Sequence, residues 1–259
     1  NWYHNVMTLL RNWFFVQTAA INPEAQGVAF KDEIMGRLIR FVSAHEVGHT
    51  LGLPHNMGSS VAYPVDSLRS ASFTQKYGTA PSIMDYARFN YVAQPEDKGV
   101  ALMPNIGPYD KHAINWGYRP ILDQSAEDEK TTLNQWILDK ADDPMYRFGR
   151  QQRPVIDPSS QTEDLGDDAV KASNYGIANL KRIVPKLIDW TYEEGKNYDD
   201  LSTLYDQVFG QFNRYMGHVR SNIGGVYQYN KTYEQEGAVF THVSKNRQSN
   251  SMAFLHQQL

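Results

Sequence analysis

A chain of 259 residues, 41% hydrophobic and 21% charged, can bury a sizeable core and reads as a globular protein of one or two domains. Its formal net charge of −4 gives no electrostatic footprint for nucleic acid, and no apolar run approaches the length of a membrane span. The absence of cysteine rules out disulfides, thiolate zinc sites and cysteine nucleophiles. The 16 tyrosines and 11 phenylalanines suit a well-packed core.

The first expected element is an amphipathic helix over residues 3–20, from the helical spacing of Val6, Leu9, Leu10, Trp13 and Gln17. Asn22-Pro23 and Gly27 mark a loop. A long helix follows from about Asp32, read as its N-cap, to Leu51. Ile34, Leu38, Phe41 and Val42 make its apolar face, and His45 and His49 continue that face inward. Two imidazoles four residues apart lie one above the other on a helix and can close on one metal ion. Glu46 stands beside them, free to take a proton from water. Gly52 can adopt the left-handed conformation that ends the helix, so that His55 returns as a third ligand. Three neutral histidines leave a tetrahedral zinc one open position, the mark of a catalytic rather than a structural site.

Residues 53 to 108, rich in Pro, Gly, Ser and Tyr, are expected to be loop with short helical turns, as an active-site lining is. Pro108 starts a helix to about Trp116, with Asp110 in its first turn, packed under the metal site. Short helical pieces and turns fill 123–165. Residues 167–194 form a helix kinked at Pro185 and pair with a helix over 198–220 across Gly195-Lys196-Asn197. Residues 226–229 and 238–243 suit a small hairpin, and a last helix starts at Ser251. The fold class is mainly α, α+β overall, with residues 1–120 as the zinc-binding catalytic part and 121–259 as a mostly helical C-terminal region. The acidic cluster Asp164, Asp167, Asp168 fits no EF-hand spacing and reads as a helix N-terminus, although a calcium site is an alternative. His4, His112, His218, His242 and His256 have no partner at ligand spacing.

His45-Glu46-Val47-Gly48-His49-Thr50-Leu51-Gly52-Leu53-Pro54-His55, followed by Ser82-Ile83-Met84-Asp85-Tyr86, resembles the signature of the metzincin metalloproteases. The resemblance implies one catalytic zinc ion and a peptide or protein substrate. It implies Met84 as the apolar floor beneath the ligands, and the Ser-Ile-Met-x-Tyr form is similar to the astacin-like branch, in which Tyr86 would sit near the zinc and hydrogen-bond the oxyanion. Residues 44–56, 109–118 and 164–168 also resemble a group of large, poorly characterised bacterial zinc-dependent metalloproteases. That resemblance implies an extracytoplasmic protein, whether periplasmic, outer-membrane-associated or secreted. Asn56 after the third histidine and Pro54 before it depart from the better-known branches.

Metzincin catalytic domains place a twisted sheet before the zinc helix, and nothing ahead of Lys31 reads as one. With a start at Asn-Trp-Tyr, the chain is expected to be a piece of a longer protein whose upstream part is a partner of this one. That leaves an alternative to the zinc endopeptidase: a binding module that keeps zinc without a working cleft. A third reading takes a later glutamate as ligand, as in gluzincins, with Glu96 the nearest candidate.

Overall fold

The computed structural model describes residues 4–259. The chain is mainly α, and its only sheet among the described residues is a two-stranded antiparallel ribbon. Helix α1 spans His4–Thr18; the expected start at residue 3 lies outside the described residues. Leu10, Phe14 and Gln17 turn inward together with Phe15 and Val16, whereas Leu9, expected in the seam, is 39% exposed. Phe14 meets Phe89 edge to face at 4.9 Å, and the Gln17 side-chain oxygen accepts the Phe89 N–H at 3.1 Å. The helix therefore clamps the loop that follows the site.

Helix α2 spans Asp32–Thr50. Its N-cap is Lys31 rather than the expected Asp32. Asp32 and Glu33 instead occupy the first turn, where negative charge meets the positive end of the helix dipole. Ile34, Leu38, His45 and Gly48 form its buried stripe. The helix stops in a Schellman reversal: Gly52 N–H donates to the His49 carbonyl at 3.0 Å and Leu53 N–H to the Gly48 carbonyl at 3.0 Å. Gly52 has φ of +81°, a conformation that costs a side-chain-bearing residue dearly.

Residues 51–107 hold helix α3 (Ala71–Tyr77) and short 3-10 turns; the rest is irregular but extensively hydrogen-bonded. Asn90 donates to the Leu68 and Ala101 carbonyls, and Arg69 grips Asp97, so the loop is rigidly tied without regular structure. Helix α4 (Pro108–Tyr118) begins with proline at N1, and Asp110 at N3 reaches back to accept the Gly107 N–H. At its far end the Tyr118 hydroxyl donates to the Leu51 carbonyl at 2.9 Å, which docks α4 on the end of the metal-binding helix.

After α5 (Glu129–Leu138), α6 (Ala169–Ile183) runs to a 3-10 turn at Val184–Lys186, where Pro185 breaks the helix, and resumes as α7 (Leu187–Thr191). Helix α8 (Asp199–Arg220) folds back on α6. Gly176 lets the two approach, since a Cβ there would meet the Tyr215 ring at 2.6 Å. Helix α1 packs on both α6 and α8.

Strands β1 (Val226–Gln228) and β2 (Phe240–His242) form the hairpin, with Tyr227 opposite Thr241. Helix α9 spans Lys245–Gln258, starting six residues before the expected Ser251. Ser244 caps it by accepting the Arg247 N–H. Its polar first turns carry no apolar stripe; only Ser251 and Phe254 are buried. The acidic cluster divides its work. Asp168 is the N-cap of α6, Asp167 accepts the Val65 N–H, and Asp164 is buried.

Candidate metal centre

His45, His49 and His55 converge so that one nitrogen from each lies within 4.8 Å of the others. The opposite nitrogens show which atoms those are. His45 Nδ1 faces the Ile83 carbonyl at 2.8 Å, His49 Nδ1 the Leu53 carbonyl at 2.9 Å, and His55 Nδ1 the Gln151 side-chain oxygen at 3.3 Å. An oxygen that only accepts requires a proton on the nitrogen facing it, so each ring presents a bare Nε2 lone pair to the centre. His45 Nε2 is buried without a partner. His49 Nε2 and His55 Nε2 stand 3.1 Å apart. Two lone pairs at that distance repel, and a cation between them removes the repulsion. Ligand nitrogens about 3.3 Å apart are also what tetrahedral zinc with bonds of about 2.0–2.1 Å requires. The donor set therefore fits zinc. Burial holds the His45 and His55 imidazoles below their ordinary pKa, which keeps them neutral, the form that ligates.

The floor of the site is built by residues 82–86. Met84 is fully buried beneath α2, and Gly48, between the two helical ligands, makes room for it: a Cβ on Gly48 would lie 2.3 Å from the Met84 sulfur. The turn is suspended from Asp110 of α4, which accepts the Ser82 hydroxyl at 2.6 Å and the Ile83 N–H at 2.8 Å. Because Ile83 also orients His45, Asp110 supports a ligand through one intervening residue. Met84 N–H donates to Ser82 Oγ, and the Met84 carbonyl accepts the Asn56 N–H. Burial raises the Asp110 carboxyl against three donors that lower it.

Tyr86 lies against two ligands, its ring 5.2 Å from His45 and 4.5 Å from His55. Partial burial pushes its hydroxyl above the ordinary value, so it is protonated and able to donate. Glu46 is exposed and acts electrostatically on His45, His55 and Tyr86. Glu96 lies elsewhere, held by Arg69 at 2.6 Å, and is not among the converging ligands. Of the remaining histidines, His218 is buried with Nε2 against the Thr162 carbonyl and its pKa pushed down to about 4 by burial. His112 rests on Tyr146, and His242 and His256 are exposed.

Sequence reasoning missed three contributors. Gln151 orients His55 from 96 residues away. Asp85, inside the floor turn, is fully buried; it accepts the Ser59 hydroxyl and Ser60 N–H, and burial pushes its carboxyl up to about 7. Arg88, stacked on Trp13 at 3.2 Å and paired with the buried Glu163 at 2.5 Å, walls the side beyond Tyr86. Gln151 and Arg88 stand outside every motif, and Asp85 occupies the unspecified position of the floor-turn motif, so no sequence signal marked their roles.

A family model described as Met-zincin matches residues 27–259. No curated protein and no solved structure matches the chain.

Proposed function

The chain belongs to the Met-zincin family, whose members are zinc-dependent metalloproteases, and we propose that it is an endopeptidase in which Glu46 is the general base. The observation that carries the reading is the set of three bare Nε2 atoms facing one another, with every Nδ1 held by an oxygen. His45, His49 and His55 would hold the ion. Zinc, when bound, supplies Lewis acidity that polarises the scissile carbonyl and acidifies the attacking water.

Glu46 accepts a proton as the water oxygen bonds to the carbonyl carbon. As the carbon–nitrogen bond breaks, it returns that proton to the departing amine. The Tyr86 hydroxyl donates to the oxygen on which negative charge develops. Met84 keeps water from beneath the ligands and fixes their height. Residues 1–120 carry the ligands, the base and the floor, and residues 121–259 contribute Gln151.

The alternative is a module that binds zinc but does not cleave; among the described residues no strand precedes α2. Cleavage of a mixed peptide library by the zinc-loaded chain and by Glu46→Ala separates the two. Cleavage by the parent, reduced at least about 100-fold in the variant while zinc is retained, is expected for a general base. Equal cleavage by both would remove Glu46 from the mechanism, and silence from the zinc-loaded parent would favour the binding module.

A further inference from the structure

We infer that Gln151 completes the metal centre from the C-terminal half of the chain and that Asn56, beside the third ligand, anchors it, both as positioning residues. Gln151 sets the ring of His55, and Asn56 fixes the segment that carries Gln151. The inference rests on the zinc reading above.

The three ligands are not held alike. His45 and His49 are oriented by backbone carbonyls, one from the floor turn and one from the reversal that ends α2. Both acceptors are main-chain atoms of hydrogen-bonded turns and have no rotamer freedom. His55 depends on a side chain, that of the exposed Gln151. A side-chain acceptor has rotamer freedom and can hold a ring only if its own backbone is fixed.

Asn56 supplies that anchorage. It is fully buried, directly after the third ligand. Its Nδ2 donates to the Arg147 carbonyl at 2.8 Å, and its Oδ1 accepts the Gly149 N–H at 2.9 Å and the Gly58 N–H at 3.3 Å. Its own N–H donates to the Met84 carbonyl, and the next residue, Met57, donates to the Gly149 carbonyl at 2.8 Å. One residue thus joins the third-ligand loop and residues 147–149 through its side chain, and the floor turn through its backbone N–H. The two segments run so close that a Cβ on Gly58 would lie 2.8 Å from the Gly149 nitrogen. On the far side Arg147 is tied to Asp157 at 2.9 Å and to the Ser159 carbonyl. Asn56 must both donate and accept here, so aspartate, of equal size, cannot replace it. Gln151 has only to accept, so glutamate can replace it.

The test measures zinc affinity by competition with a chromophoric chelator, beside the unfolding midpoint of the metal-free protein. Gln151→Met keeps the length and removes the acceptor. It is expected to weaken zinc roughly 10–100-fold, as loss of an outer-shell partner does, with the metal-free midpoint unchanged. Gln151→Glu should restore or exceed the parent affinity, and Asn56→Asp should weaken zinc and also lower the metal-free midpoint. Zinc binding by Gln151→Met within twofold of the parent would overturn the inference, as would Gln151→Glu binding no better than Gln151→Met. If the parent holds zinc and cleaves nothing, the peptidase reading fails while the affinity series still decides the role of Gln151. A parent that holds no zinc overturns both.

Discussion

Gly48 lies between the two helical ligands, and replacing it with alanine sets two effects against each other. In a helix interior alanine is favoured over glycine by about 1 kcal/mol. Against this, the new Cβ would lie 2.3 Å from the Met84 sulfur and 3.2 Å from its methyl carbon. Comfortable contact begins at about 3.5 Å. Met84 is fully buried and its backbone is pinned at both the N–H and the carbonyl, so relief can come only from rotating its side chain within the packed floor. Overpacking of this kind costs about 1–3 kcal/mol, and more when the neighbour is held. The overlap here exceeds an ångström, so the steric term wins and a net loss of about 1–2 kcal/mol is expected. For a chain of this size that lowers Tm by roughly 2–8 °C. Gly36→Ala is the control: it lies on the same helix, and a Cβ there meets nothing within 4 Å. It should stabilise by up to about 1 kcal/mol. Urea unfolding of the metal-free proteins measures both. If Gly48→Ala stabilised the protein as Gly36→Ala does, the packing of Met84 against α2 would be refuted.

Asp85 should make stability depend on pH. Burial raises its folded-state carboxyl to about 7, above its unfolded value, so its contribution is complete below about pH 4 and is lost as pH rises through 7. Asp85→Asn should flatten the fall in urea midpoint between pH 4.5 and 8.5; an equal slope in both proteins would reject the assignment. Asp110→Ala would leave the Gly107 and Ile83 N–H groups and the Ser82 hydroxyl without their buried acceptor, at about 1–3 kcal/mol for each such group. A total loss above about 3 kcal/mol is expected in denaturant unfolding, and a loss below 1 kcal/mol would mean that Asp110 does not suspend the floor turn.

What the sequence disclosed follows from how each feature is encoded. The ligand helix, its glycine stop and the third histidine are local: the 3.6-residue period and one left-handed glycine write them into eleven consecutive residues. Pro108 and Pro185 likewise announce a helix start and a break, because a missing N–H acts where it stands. The mainly α class follows from such stripes, in α6 and α8 above all. Other features leave no periodic trace. Helix α9 begins in a polar run with a single serine cap, and its propensity is not visible as a stripe. The positive end of α2 takes Asp32 into its first turn as readily as at its cap, so the cap was misplaced by one residue. Gln151, Asp85 and Arg88 act through contacts set by tertiary folding alone. A glutamine that orients a ligand looks, in sequence, like any other glutamine. The family resemblance carried the floor turn, since a buried methionine 29 residues after His55 has no local signature of its own.

The most direct test of the account is X-ray absorption at the zinc edge on the chain loaded with one equivalent of zinc. The expected result is one tightly held ion with three imidazole nitrogens at about 2.0–2.1 Å and one further light atom from solvent. Loss of one imidazole contribution in His55→Ala would complete it. A fourth protein ligand would describe a closed structural site, and a spectrum unchanged in His55→Ala would contradict the three-histidine centre on which the proposed chemistry depends.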